Sequence, residues 1–348
     1  MFYDLFISVV FLLSSFTFND FNEITNCNDD DIFEINCGFQ NPEDLYLSPS
    51  NEKIIISEFG SLAPNTKYGN LSYFDLFRKE KKDFEISYES NDWGDVNCKL
   101  KSERFSPHGI DLIERNDGKF MLAVINHLPA ETIELFELTE NQDMKLIWRG
   151  CVDAPENKYF NDVALKKDGS FYATSMFDAN LSEWSLVYAS IFISQTGEVH
   201  FWNKEKGFME IQNTSGSFPN GIDLSEKEDF LYINYWFSGK TVKFDLTDTS
   251  VKYEHFGGGK DNLLVTDSGL WVAAHNYSGI EGLQCDESII QCPLPFTIHQ
   301  LSLEDLEEIN TYTFADKQMG AATVALPQDD KIWLGTFHGD RIASFYIK

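Results

Sequence analysis

Short polar pairs recur at six places in this chain of 348 residues: Glu43-Asp44, His108-Gly109, Asn161-Asp162, Asn220-Gly221, Asp261-Asn262 and, reduced, Ala322-Thr323. Glu43, Asn161, Asn220, Asp261 and Asn262 all end in oxygen. Two carboxylates mixed with three neutral amides suit a large hard cation with many oxygen ligands, which is calcium's preference. Magnesium demands a tighter octahedron, and zinc prefers His or Cys, of which this set holds only His108. Asp44 and Asp162 stand one residue further along and would face a deeper level. A second calcium fits there, completed by a backbone carbonyl such as that of Ile110. Asn and Asp are also ordinary turn residues. That explains any one of these positions better than it explains five at equivalent places.

His108 belongs to the same set, and His127 ends the hairpin that His108 opens, so the two imidazoles can approach each other. One imidazole takes a proton from water and the second passes it on. A cation with an open position binds a carbonyl oxygen and stabilises the oxyanion. Together these point to a hydrolase of activated or strained esters. There is no G-x-S-x-G elbow and no HExxH motif. The run Gly257-Gly258-Gly259-Lys260 lacks the remainder of a phosphate loop and reads as a turn.

Sequence separation scatters these residues, so an architecture must assemble them. Each polar pair is followed by an alternating strand, a polar turn and a second strand rich in Ile, Leu, Val, Trp or Tyr. The copies start at Glu43, His108, Asn161, Asn220, Asp261 and Ala322. Turns such as Asn-Asp-Gly at 116–118, Lys-Asp-Gly at 167–169 and Asp-Ser-Gly at 267–269 are hairpin signals. Six such units predict an all-β, six-bladed β-propeller. A β-sandwich would have no reason to repeat one phrase six times. In a propeller the first strand of each blade lines a central channel. The residue just before each such strand would therefore face a common point on the axis.

The composition agrees with a folded β protein, with Phe at 30, Tyr at 14 and Trp at 7. A net charge of −29 repels nucleic acid and anionic surfaces, and it favours solubility and cations. The apolar run 5–18 is short for a membrane span and reads as a secretory signal, giving a leader at 1–17 and one domain at 18–348. Its only charged neighbour upstream is Asp4, which leaves an uncleaved anchor open as the alternative. Membrane or lipoprotein association through this segment is a further expectation. Six cysteines fit an oxidising compartment. Cys27 with Cys37, and Cys285 with Cys292, are near enough to pair locally, leaving Cys98 and Cys151. Asn70, Asn180, Asn213 and Asn276 begin N-x-[ST] sequons, consistent with secretion.

PEDL at 42–45, FSPHGI at 105–110, VINH at 124–127, FND at 160–162, FPNGI at 218–222 and DN at 261–262 resemble the paraoxonase/arylesterase family. The resemblance runs over nearly the whole chain after the apolar segment. It implies two calcium ions and lactonase or arylesterase activity. By motif, Glu43, Asn161, Asn220, Asp261 and Asn262 match the catalytic-calcium ligands. Asp44, Asp162 and the Ile110 carbonyl match the structural site, and His108 and His127 match a histidine dyad. Phe218 matches an aromatic pocket residue, and His275 a pocket histidine. In some members a free thiol precedes that histidine, where this chain has Ala274. The family closes its ring with a disulfide to the last strand, but RIASFYIK at 341–348 holds no Cys, so closure must use strand pairing or other bridges. The stretches 280–296 and 335–342 are more similar to gluconolactonase and strictosidine-synthase-like propellers. A sugar-lactone hydrolase, a condensing enzyme or a non-catalytic calcium-binding propeller are therefore alternatives.

Overall fold

The protein, seen in a computed structural model, is described at residues 23–60, 67–141, 143–282, 285 and 288–347. The expected leader at 1–17 lies outside these residues. The strands form six sheets, antiparallel apart from one added strand in the second blade. Taken in chain order, the innermost strands of the six blades are Pro42–Leu47, Pro107–Glu114, Lys158–Leu165, Pro219–Leu224, Gly259–Thr266 and Ala322–Gln328. The six-bladed β-propeller is therefore present, with its innermost strands in the order of the six polar pairs. The second blade carries a fifth strand, Glu85–Tyr88, paired in parallel with Met144–Asp153.

Ring closure uses strand pairing. The N-terminal strand Glu34–Cys37 lies antiparallel to the last strand, Arg341–Tyr346, as the outermost strand of the sixth blade. Phe33 is buried beside it among Phe296, Phe314 and Phe345, so one apolar cluster spans the fifth blade, the sixth blade and the closing segment. Arg341, wholly buried, donates to the carbonyl of Asn26 at 2.8 Å and to Asp340 at 2.7 Å. The disulfides are Cys27–Cys37, Cys98–Cys151 and Cys285–Cys292. The first and third are the local pairs expected, and the remaining two cysteines pair with each other.

Two features differ from the sequence reading. The polar pairs lie inside the innermost strands rather than just before them. All six of these strands change register at that point: between Pro42 and Asp44, Pro107 and Ile110, Phe160 and Val163, Pro219 and Ile222, Lys260 and Leu263, and Ala322 and Val324. A bulge inserts an extra residue and re-aims side chains. The second difference is a helix, Glu183–Phe192, inserted after the strand Phe171–Asp178. Ser182 caps it, and Trp184, Tyr188, Ile191 and Phe192 are exposed. Among the described residues no helix is long and apolar enough to cross a membrane. Of the sequon residues, Asn180, Asn213 and Asn276 are exposed and Asn70 is partly buried.

Candidate active site

The bulges crowd the innermost strands against one another. A Cβ added at Gly109 would meet Asp162 Cα and the Asn161 carbonyl at 2.6 Å, and one at Gly221 would meet Asn262 Cα at 2.6 Å. Only glycine fits where neighbouring inner strands approach this closely. Side chains of the second strands, with Thr323 of the sixth innermost strand, tie down the bulges. Ser57 Oγ accepts from Asp44 N, and Thr174 Oγ1 from Asp162 N, each at 3.2 Å. Thr174 Oγ1 donates to the Asn220 carbonyl at 2.5 Å and Thr323 Oγ1 to that of Glu43 at 2.6 Å, while Asn234 donates to that of Asp261.

The expected ligands lie together and are buried. Asn262 donates to Glu43 Oε1 at 2.9 Å, and Asn161 Nδ2 lies 3.4 Å from His108 Nε2, which is itself 3.7 Å from Glu43 Oε1. Asn220 bonds to Asp261, whose Oδ2 is 3.3 Å from His275 Nε2. The three amides spend their N–H groups sideways on neighbours. Asn161 Oδ1, Asn220 Oδ1 and Asn262 Oδ1, with Glu43 Oε2, are buried without any hydrogen-bond partner. Each such atom costs about 1–3 kcal/mol. A hard cation ligated by these oxygens would relieve that cost, so the donor set fits calcium. Burial, then the charges of Asp44, Asp261 and Asp162, raises Glu43 well above the carboxylate range; burial also raises Asp261 to about 8.

One level deeper stand Asp44 and Asp162, with two carboxylates that sequence reasoning missed, Asp111 and Asp223. Each reaches the inner strand of the next blade. Asp44 accepts from Ile110 N at 2.8 Å, Asp111 from Leu165 N at 2.6 Å, Asp162 from Ile222 N at 2.9 Å and Asp223 from Val265 N at 2.7 Å. The four acids and Ile110 line a small void together with Tyr46, which bonds to Asp111. Burial raises Asp44 to about 7 and Asp111 to about 6. A carboxylate oxygen keeps a lone pair after accepting one N–H. Asp44 and Asp162, with the Ile110 carbonyl, can therefore still hold a cation there. The repeated Gly-Ile-Asp at 109–111 and 221–223 was the available signal for the two missed acids.

The histidines form a hydrogen-bonded chain. His108 Nδ1 and His127 Nε2 are 2.8 Å apart, and His127 Nδ1 is 2.9 Å from Glu131 Oε2. Glu131, in the loop after His127, was not anticipated. Burial, then His127, lowers His108 well below an ordinary imidazole.

Aromatic rings collar this site. Phe59 packs on His108, His127 stacks on Tyr159, and Tyr159 stacks on Phe177. Phe177 meets Phe218, which meets Trp236; Trp236 donates to His275 Nδ1 at 3.0 Å, and His275 stacks on Tyr277. Phe218 has a positive φ of 59°, held where its N–H reaches Thr196 Oγ1 and its carbonyl accepts from Trp236. His275 thus lies against Asp261, and Phe218 reaches His275 through Trp236.

A family model described as Arylesterase matches residues 28–339. The chain belongs to the arylesterase family. The chain is 29% identical over 175 residues to serum paraoxonase/lactonase 3 of Mus musculus, covering 48% of this chain and 47% of that one. It is 31% identical over 121 residues to the adipocyte plasma membrane-associated protein Hemomucin of Drosophila melanogaster, covering 33% of this chain and 20% of that protein. The matches thus span at most about half the length of these relatives. Among solved structures, a luciferin-regenerating enzyme superposes with a TM-score of 0.52 at 13% identity, covering 89% of this chain and 92% of that one. An oxidoreductase described as a glucose dehydrogenase, from Thermus thermophilus, gives 0.51 at 12% identity, covering 89% and 98%. These structural likenesses show the fold.

Proposed function

We propose that this member of the arylesterase family is a calcium-dependent hydrolase of lactones and aryl esters. The observation that carries the reading is the set of four buried, unpartnered oxygens on Glu43, Asn161, Asn220 and Asn262. With Asp261 they would hold the catalytic calcium. Asp44, Asp162 and the Ile110 carbonyl would hold a structural one. A calcium ion bound among the first set supplies Lewis acidity toward a substrate carbonyl.

The chain's own groups do the rest. Glu131 can only accept from His127 Nδ1–H, so His127 Nε2 accepts from His108 Nδ1–H. That leaves His108 Nε2 unprotonated beside Glu43 and Asn161, where it takes a proton from water attacking the ester. His108 is kept neutral by burial, and His127 with Glu131 disperses the charge that develops. The collar of Phe59, Phe218, Trp236 and His275 favours apolar acyl or aryl substrates and excludes bulk water.

Three disulfides support secretion, with residues 1–17 as leader and 18–348 as one domain. In that setting the exposed sequon residues would carry glycans, and a retained N-terminal segment would give contact with lipid.

The test is turnover of a panel of acyl-lactones, aryl esters and sugar lactones, before and after chelation, with metal content measured in parallel. Chelated protein and Asn220→Ala should each lose at least about a hundredfold in kcat/KM. Undiminished lactone turnover by metal-free protein would overturn the reading.

A further inference from the structure

We propose that His255, His299 and Glu308 form a zinc site between the fourth and fifth blades, separate in place and chemistry from the oxygen cluster of the channel. His255 lies on Ser250–Phe256, the outermost strand of the fourth blade. His299 lies on the third strand of the fifth blade, Phe296–Leu301, and Glu308 opens the fourth, Glu308–Phe314. Their ligand atoms all lie within 4.8 Å of one another. Glu308 Oε2 is 3.0 Å from His299 Nδ1 and 3.7 Å from His255 Nε2. Donors around a tetrahedral zinc at its usual bond lengths stand about 3.4 Å apart. The two spacings to Glu308 bracket that value, and the two histidine nitrogens lie within 4.8 Å of each other, so an ion would seat by drawing the rings together.

The donor chemistry selects the metal. Two imidazoles and one carboxylate suit zinc and disfavour calcium, which the channel cluster suits. His255 Nδ1 is buried with no hydrogen-bond partner, so no bond within the protein holds that ring in its present orientation against an ion. The Glu308 side chain is 45% exposed, which gives an ion a path in and a solvent-facing fourth position.

Lys260 faces the site from the fifth blade's innermost strand and is the cation that opposes binding. Its amine is buried without an acceptor.

Propeller blades converge at the axis and fan apart at the rim. An ion held by His255 on one blade and by His299 and Glu308 on the next would cross-link two outer strands where they diverge.

The experiment uses untagged, calcium-loaded protein titrated with zinc, and with cobalt as a spectroscopic reporter. One equivalent should bind beyond the calcium, cobalt should show the intense visible bands of a low-coordinate nitrogen-containing site, and zinc should raise Tm. His255→Ala and His299→Ala should each weaken binding by at least about tenfold, and Glu308→Gln by a smaller factor. His200→Ala, whose ring pairs with Glu198 at 2.8 Å in the third blade, should bind as the parent does. Should either histidine variant fail to fold, Glu308→Gln at its exposed position supplies the same readout. The proposal is overturned if the calcium-loaded parent binds no zinc, or if the His255→Ala/His299→Ala protein binds it undiminished. Lactone turnover is followed throughout, so loss of zinc binding is read independently of the channel chemistry.

Discussion

Two hydrogen bonds decide which nitrogen of the histidine pair can act as a base. A carboxylate has no proton to give, so Glu131 fixes His127 as donor at Nδ1, and that in turn fixes His108 as donor at its own Nδ1. The basic Nε2 of His108 is thereby aimed at Glu43 and Asn161. Glu131 is held in turn by the N–H of Phe160 at 2.9 Å. In Glu131→Gln the amide can either donate or accept, and the relay loses its direction. Steady-state kinetics should then show kcat falling by about 10- to 100-fold with KM and calcium content little changed. The pH profile should also shift, because the imidazole that disperses the charge has lost its anion. Glu131→Asp, which restores the carboxylate, should recover part of kcat. A Gln variant with the parent's kcat and pH profile would remove Glu131 from the relay.

At the level of strands, each bulge turns a polar pair toward the axis, and each deeper aspartate clamps the neighbouring blade. Asp44, Asp111, Asp162 and Asp223 all bond to a backbone N–H one blade on, so the first five inner strands are stitched in sequence. Asp223 also accepts from Leu224 N at 2.6 Å. Asp223→Ala would leave two backbone donors unpaired, at about 1–3 kcal/mol each. Thermal or urea denaturation should show that loss, while metal analysis should show the calcium proposed for the channel retained. Loss of calcium with unchanged stability would instead make Asp223 a ligand. The six strand phrases were legible because alternation and turn residues are local signals, and Glu43, Asn161, Asn220 and Asp261 came with them. The bulges were not, because a register shift exists only between paired strands. Glu131 was hidden because nothing in Leu128-Pro129-Ala130-Glu131 distinguishes a relay carboxylate from a solvated loop acid. The helix Glu183–Phe192 was hidden inside one repeat, where a ten-residue insert looks like a long loop. The closing strand Glu34–Cys37, four residues long, has too little pattern to read without its partner Arg341–Tyr346.

For the whole molecule, the buried acids couple stability to pH and to metal. The chain carries a net charge of −29, and part of that charge converges on the channel, where desolvation resists ionisation. Asp44 is raised to about 7 and Asp261 to about 8, with Glu43 and Asp162 also well above their ordinary values. In metal-free protein the folded state therefore holds protons that the unfolded chain releases, and stability falls as pH rises toward these values. The buried imidazoles act in the opposite sense. His275 is lowered to about 3, so the unfolded chain binds the extra proton below an ordinary histidine pKa of about 6.5, and stability rises with pH up to there. Between pH of about 6.5 and about 8 the imidazoles no longer oppose the acids, and only Lys260, lowered to about 7, acts against these several carboxyl groups. Chelated protein should thus lose Tm steadily across this window in differential scanning fluorimetry. Saturating calcium should raise Tm and flatten the slope, because a bound dication displaces the protons and stabilises the carboxylates in ionised form. The calcium-induced gain should be largest at the alkaline end, where the bare acids are most strained, and smallest at acid pH, where protons compete with the ion. A chelated Tm that is level across the window, and equally level with calcium, would mean that the channel acids do not bind the ion as a folding partner.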